Sequence, residues 1–362
     1  MKNFFIFLFL AIAVSTFAQE TDQKIIIITT DGFRWQEVFN GMDSAIANNE
    51  KFNQGDSAYL FKTYWHDDAT ERRKKLLPFL WSTIAMNGQI LGNRQNENKV
   101  NVRNPYWFSY PGYSEIFTGF ADTAINSNEY PPNPNKNVLA FLNDQPAYKG
   151  KVAVFGAWDA FDRILNEEQN KFPVFSAFDS FGGSNPSAAE RLINAMNVQS
   201  HKPWGDEECL DVFTHFGALS YLKEKKPKVL YIAYGETDEW AHSGKYRFYL
   251  EAAHQVDAWL KSFWNYIQSD PYYKNKTTLL ITTDHGRGDA IKEQWTSHSR
   301  SIEGADEIWI AAIGPKIESK GERKDPVQLY QAQLAQTIAK LLGYDFKARH
   351  KIAPAIPVLF KK

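Results

Sequence analysis

Short apolar runs that end in polar residues recur along this chain, and longer stretches of helical periodicity separate them. Lys24–Thr30 (KIIIITT) lacks polar alternation, which predicts a strand buried on both faces, closed by Asp31 and Gly32. Lys151–Phe155, Lys228–Tyr234, Thr278–Thr283 and Ile308–Ile313 repeat the pattern. Helices are predicted over Ser187–Val198, with Leu192, Ile193 and Met196 on one side, and over Asp206–Lys225, with Leu210, Phe213, Phe216, Leu219 and Leu222 at helical spacing. Tyr246–Gln268 and Val327–Leu342 complete the set. Strand followed by helix, repeated, predicts an α/β fold with a mainly parallel central sheet and helices on both faces. Ligands of such sheets bind at the carboxyl ends of the strands, so the polar strand ends carry the interest.

Three segments depart from the pattern. Asp43–Leu77 is polar and charged, and reads as a candidate insertion near the site, at about residues 43–77. Asn126–Asn137 holds Pro131, Pro132 and Pro134, which excludes regular helix and central strand. Gly182–Pro186 is a turn-rich loop. At the amino end, Lys2 followed by the apolar run Phe4–Val14 and the small residues Ser15, Thr16 and Ala18 has the form of an export signal cleaved after Ala18. The expectation is a signal peptide over 1–18, one catalytic domain over 19–362 and a periplasmic or secreted protein. The apolar core of that signal is shorter than the roughly 20 residues a span needs, so no transmembrane segment is expected after its removal.

A formal net charge of -1 gives no general attraction to nucleic acid or anionic membrane, and no nucleic-acid-binding surface is evident. The single cysteine, Cys209, cannot form an internal disulfide. Aromatic residues reach 15% of the chain; they line sugar or nucleoside sites in some proteins and fill cores in most.

The strand ends supply metal-ligand chemistry. Asp31 follows the first strand, and Asp238 and His242 lie just past the third, four residues apart and on one face of a helical turn. Asp284 and His285 close the fourth strand, and His298 lies in the polar loop before the fifth. Carboxylate and imidazole together suit zinc or a similar divalent ion. Ser109, in Phe108-Ser-Tyr-Pro-Gly112, precedes a short helix predicted over Tyr113–Thr118, where free N–H groups favour an anion. It is the candidate nucleophile; Ser114 is the rival but falls inside that helix. His66, His201, His215, His254 and His350 are read as surface or packing residues.

With these residues assembled, the chain resembles the alkaline phosphatase superfamily, nearest to its type I phosphodiesterase and nucleotide pyrophosphatase branch. The resemblance rests on the ligand series and on Ser109-Tyr-Pro-Gly112 leading to Ile116-Phe-Thr-Gly119. It implies a phosphodiesterase acting on a small-molecule phosphate ester through a phospho-serine intermediate. It further implies two divalent ions, expected to be Zn2+, one held by Asp31, Ser109, Asp284 and His285 and the other by Asp238, His242 and His298. Family members add an Asn after the nucleophile helix, for which Asn128 is the best match and Asn126 the competitor.

The stretch Gly156-Ala-Trp158-Asp-Ala-Phe161 lacks the phosphate-gripping Lys and Arg of some secreted phosphomonoesterases, which tilts the reading toward diesters; Arg163 and Arg300 are alternative sources of charge. Trp158, Phe161, Trp35 and Phe108 are candidates to stack on a leaving group. The alternatives are a phosphomonoesterase, a sulfatase-like hydrolase and a non-catalytic metal-stabilised protein that binds phosphate or glycan. Against a sulfatase, Tyr113 stands where its motif needs Arg.

Overall fold

The computed structural model describes residues 22–361, so the signal-like segment lies outside the described residues. Within them, eleven strands carry the architecture: β1 (Lys24–Thr30), β2 (Gly88–Leu91), β3 (Asn98–Asn101), β4 (Val152–Gly156), β5 (Val174–Ser176), β6 (Val229–Tyr234), β7 (Thr277–Thr282), β8 (Glu307–Ile308), β9 (Ile310–Ile313), β10 (Gly321–Glu322) and β11 (Val327–Tyr330). Eight of them form one sheet in the order β10-β2-β9-β7-β1-β6-β4-β5, and β11-β3-β8 form a small second sheet. Five strands in a row, from β7 through β5, run parallel; β9 pairs antiparallel with both β7 and β2.

Both faces of this sheet are covered. Ile26 and Ile28 enter one core with Tyr249, Leu250 and Phe263 of the Tyr246–Ser269 helix, while Ile25 and Ile27 enter the other with Phe117 and Ile338. The unbroken apolar run of β1 is the sequence record of that double burial, and each such isoleucine contributes about 1.5–3 kcal/mol. The segment 43–77 folds into four short helices, and its Ile46, Phe52, Leu60, Tyr64 and Leu76 join the first core.

Three sequence expectations need correction. Val327–Leu342 is not one helix: Val327–Tyr330 is β11, paired with β3, and the helix covers Gln333–Leu341. A short apolar run fits either state, and pairing with β3 decided it. Ile308–Ile313 is divided between two sheets, Ile308 pairing with β3 and Ile310–Ile313 with β7. The third concerns the helix Ala188–Gln199, whose Leu192 and Met196 face solvent at 62% and 53% exposure. Its polar side is the anchored one: Asn194 and Asn197 bond the backbone at Phe181 and Ala177, and Ser187 and Glu190 form a capping box.

Candidate metal centre

The register of three adjacent parallel strands builds this site. Because β7, β1 and β6 are neighbours, pairing Thr29 with Ala233 and Thr282, the residues that follow them emerge together. Asp31 leaves β1, Asp238 sits on the helix Glu236–His242 after β6, and Asp284 and His285 follow β7. Gly32 adopts a left-handed φ of 54°, and a Cβ there would lie 2.5 Å from Asp238 Oδ1. Thr237 Oγ1 donates to the Asp31 carbonyl, and Gly32 N donates to Asp284 Oδ1 at 3.1 Å.

Ser109 opens the helix Ser109–Thr118 directly, four residues earlier than the predicted Tyr113 start. Pro111, without an N–H, is tolerated because the first helical turn has no internal acceptor for it. Gly112 allows the helix to press on the end of β7, since a Cβ there would meet the Asp284 carbonyl oxygen at 2.5 Å. Ser109 Oγ lies 3.4 Å from Asp31 Oδ1 and 3.3 Å from His285 Nε2. Ser114, in contrast, is buried and its Oγ accepts from Asn133 Nδ2 at 2.9 Å.

Asn128 Oδ1 accepts from Tyr110 N at 3.0 Å, which places this side chain at the amino end of the Ser109 helix, whereas Asn126 is exposed. The Tyr110 N–H is thus engaged by Asn128 rather than free, and the amide nitrogen of Asn128 is the donor left over.

The ligand candidates form one continuous cluster. His285 Nε2 is 3.2 Å from Asp31 Oδ1 and 3.4 Å from Asp284 Oδ2. His242 Nε2 is 3.0 Å from Asp238 Oδ2 and 2.9 Å from His298 Nε2. The geometry groups Asp31, Asp284 and His285 as one potential ligand set and Asp238, His285 and His298 as another. His285 therefore touches both sets, where the family resemblance assigned it to one. Two imidazoles are aimed by their far nitrogens: His285 Nδ1 faces the Gly286 carbonyl at 2.9 Å, and His298 Nδ1 faces the Trp107 carbonyl at 3.2 Å. Trp107 holds a left-handed backbone (φ 56°), which costs about 1–3 kcal/mol.

The electrostatics call for cations. Burial and the charge of Asp238 push the Asp31 carboxyl up, and burial and Asp31 push Asp284 well above the usual carboxylate range. Asp238 is also raised by burial, but Arg287, His242 and His298 outweigh this and hold it well below that range. For His285 burial acts downward, yet Asp284 and Asp31 carry it up to about 9. Burial and then the neighbouring His285 hold His298 well below the ordinary imidazole value.

The residues fit a divalent metal. Asp284 is fully buried, and its Oδ2 has no hydrogen-bond partner among the described residues, a costly state that coordination would relieve. Donors about 2.0–2.2 Å from a tetrahedral zinc stand roughly 3.3–3.6 Å apart, close to the 3.2–3.4 Å separations among Ser109, Asp31, Asp284 and His285.

Arg287 was missed by sequence reasoning. Fully buried, it forms an ion pair with Asp238 Oδ1 and donates to the Asp238 carbonyl at 3.1 Å. Its position two residues past His285 was the available signal. Tyr113 was noted only as a departure from a motif; its hydroxyl donates to Asp31 Oδ2 at 2.8 Å. His215, given no role, stacks on Trp259 in the core, and burial lowers it to about 3.

The sequence model of the Metalloenzyme superfamily matches residues 208–345. No curated protein matches the chain by sequence. Among solved structures, it is similar to the wild-type alkaline phosphatase PafA, at 9% identity and a TM-score of 0.61, over 94% of this chain and 99% of that one. A putative sulfatase from Bacteroides thetaiotaomicron gives 14% identity and a TM-score of 0.61, over 93% and 74%. The lipoteichoic acid synthase LtaP from Listeria monocytogenes gives 13% and 0.57, over 94% and 76%. The likeness to alkaline phosphatase therefore holds for the fold, and the segment matched by the Metalloenzyme superfamily model carries Asp238, His242, Asp284, His285 and His298.

Proposed function

We propose that this chain is an exported two-metal hydrolase of phosphoric esters, with Ser109 as nucleophile and zinc as the metal, acting on diesters. The observation that carries the reading is the position of Ser109 Oγ, at the first turn of a helix and 3.3–3.4 Å from two metal-ligand candidates. Divalent ions held by Asp31, Ser109, Asp284 and His285, and by Asp238, His242 and His298, would make the serine hydroxyl acidic and neutralise phosphoryl oxygens. Ser109 Oγ bonds to phosphorus as the ester bond to the leaving alcohol breaks, and its proton passes to solvent. Water then cleaves the serine–phosphorus link and regenerates the hydroxyl. The Asn128 amide N–H donates to a non-bridging oxygen, and Arg287 holds the Asp238 carboxylate in place.

The diester preference is supported by the surroundings of the nucleophile. Trp158 and Asp159 follow β4 where some phosphomonoesterases carry cations, and the buried Glu208 pairs its backbone with Trp158. One observation favours a monoesterase: Arg163 donates to the Asn128 carbonyl at 3.3 Å, close enough to the nucleophile helix to answer an added negative charge. The bond from Tyr113 to Asp31 argues against a sulfatase, whose motif needs Arg at that position.

The test is hydrolysis of bis(p-nitrophenyl) phosphate, p-nitrophenyl phosphate and p-nitrophenyl sulfate by zinc-loaded protein, with Ser109→Ala beside it. The expected result is turnover highest on the diester and reduced at least about 10³-fold in the variant. A higher kcat/KM on the monoester would overturn the diester assignment. Full activity in Ser109→Ala would overturn the nucleophile.

A further inference from the structure

The chain enters the nucleophile helix through an Asn-Pro turn, Asn104-Pro-Tyr-Trp107. Asn104 is buried, and its Oδ1 accepts from Tyr106 N at 3.1 Å and from Trp107 N at 3.2 Å. An asparagine that takes the N–H groups two and three residues on closes the turn with its own side chain. Asn104 is fixed in turn by Glu115 of the Ser109 helix: its N and Nδ2 donate to Glu115 Oε2 at 2.7 and 3.1 Å.

Trp107, at the end of this turn, has a φ of 56°, a region that disfavours bulky side chains. Its carbonyl oxygen meets His298 Nδ1 at 3.2 Å. A carbonyl oxygen can only accept, so this bond needs the proton on Nδ1 and leaves the Nε2 lone pair free to ligate. His285 is oriented differently. Its Nδ1 faces the carbonyl of Gly286, its own chain neighbour, so that acceptor stays with the ring whatever the loop does. The acceptor for His298 lies 191 residues away in sequence and is held by the Asn104 turn. Ser109, two residues past Trp107, has separate anchorage, because Tyr110 N donates to Asn128 Oδ1.

We propose that Asn104 is a positioning residue for the ion assigned to Asp238, His242 and His298, a role that depends on reading those three residues as one ligand set. By holding Trp107 in its left-handed conformation, Asn104 keeps in place the carbonyl that orients His298.

Competitive zinc titration of the full protein against a chromophoric chelator tests this, with His242→Ala marking which of two affinities belongs to that set. Asn104→Ala is expected to weaken the same ion about 10- to 100-fold and the other by less than about threefold. Trp107→Gly and Trp107→Val both delete the indole, but glycine accepts a left-handed backbone and valine resists it. The marked ion is therefore expected to bind at least about fivefold tighter to the glycine variant. Unchanged affinity for that ion in Asn104→Ala overturns the proposal, as does an equal loss of both ions, which a general disturbance of the fold would give. Equal affinities in the glycine and valine variants overturn the route through Trp107. Where Asn104→Ala fails to fold, the glycine and valine pair carries the comparison. A parent that binds fewer than two ions removes the ligand set and the proposal with it. Two ions in the parent, with neither affinity changed in the variants, leave the ligand set standing and remove Asn104 alone.

Discussion

Asn128 shows how a single side chain can hold two roles at one helix end. Its carbonyl oxygen takes the Tyr110 N–H, which an amide at a helix start cannot give to its own helix. In the proposed mechanism, its NH2 group then faces the substrate oxygen. Asn128→Ala is expected to lower kcat on the diester about 10²-fold, the usual loss for one oxyanion donor, with a melting temperature within a degree or two of the parent. A loss below threefold in steady-state kinetics would remove Asn128 from the mechanism. Glu115, on the same helix, acts structurally, because its carboxylate accepts from the backbone of Arg103, Asn104 and Ala332 and so ties two segments to the Ser109 helix.

At the scale of elements, the Tyr246–Ser269 helix is tied to the chain before β2 by one buried acid. Asp257 accepts from Phe79 N at 2.7 Å and Leu80 N at 2.8 Å, and burial pushes its carboxyl up to about 6 despite these donors. A folded pKa above the unfolded value means that the folded protein keeps this proton over a range where the unfolded chain has lost it. Stability from this group is therefore greatest below the unfolded pKa and is lost as pH rises toward about 6. Asp257→Asn removes that dependence, and it also sets an NH2 against a backbone N–H at a cost of about 1–3 kcal/mol. Urea unfolding from pH 4 to 7 should show the gap between parent and variant narrowing as pH rises. Parallel curves would show that Asp257 does not titrate in this window. The elements also mark where local pattern failed. Val327–Tyr330 has no feature that separates strand from helix until β3 lies beside it. Leu192 and Met196 show the periodicity of a buried face, but the asparagines opposite them hold the helix the other way round.

The whole molecule concentrates Asp31, Asp238 and Asp284 at one end of its sheet, and of these three carboxylates the guanidinium of Arg287 pairs with Asp238. Removing the metal should leave the other two carboxylates in mutual repulsion. Dialysis against EDTA is expected to abolish activity and to lower Tm by about 5 °C or more, both restored by zinc, because a ligand at a thousand times its Kd adds about 4 kcal/mol. An unchanged Tm, with metal shown absent by mass spectrometry, would count against the centre. The α/β class and the strand ends bearing Asp31, Asp238, Asp284 and His285 were determined by the sequence alone, because burial on both faces leaves an unbroken apolar run and a polar residue can follow only where that run stops. The meeting of those residues was decided by tertiary structure: it depends on β7, β1 and β6 lying side by side in register, a long-range fact with no local trace. The same holds for Arg287 on Asp238 and for Tyr113 on Asp31, since each is defined by a partner that only the folded chain supplies.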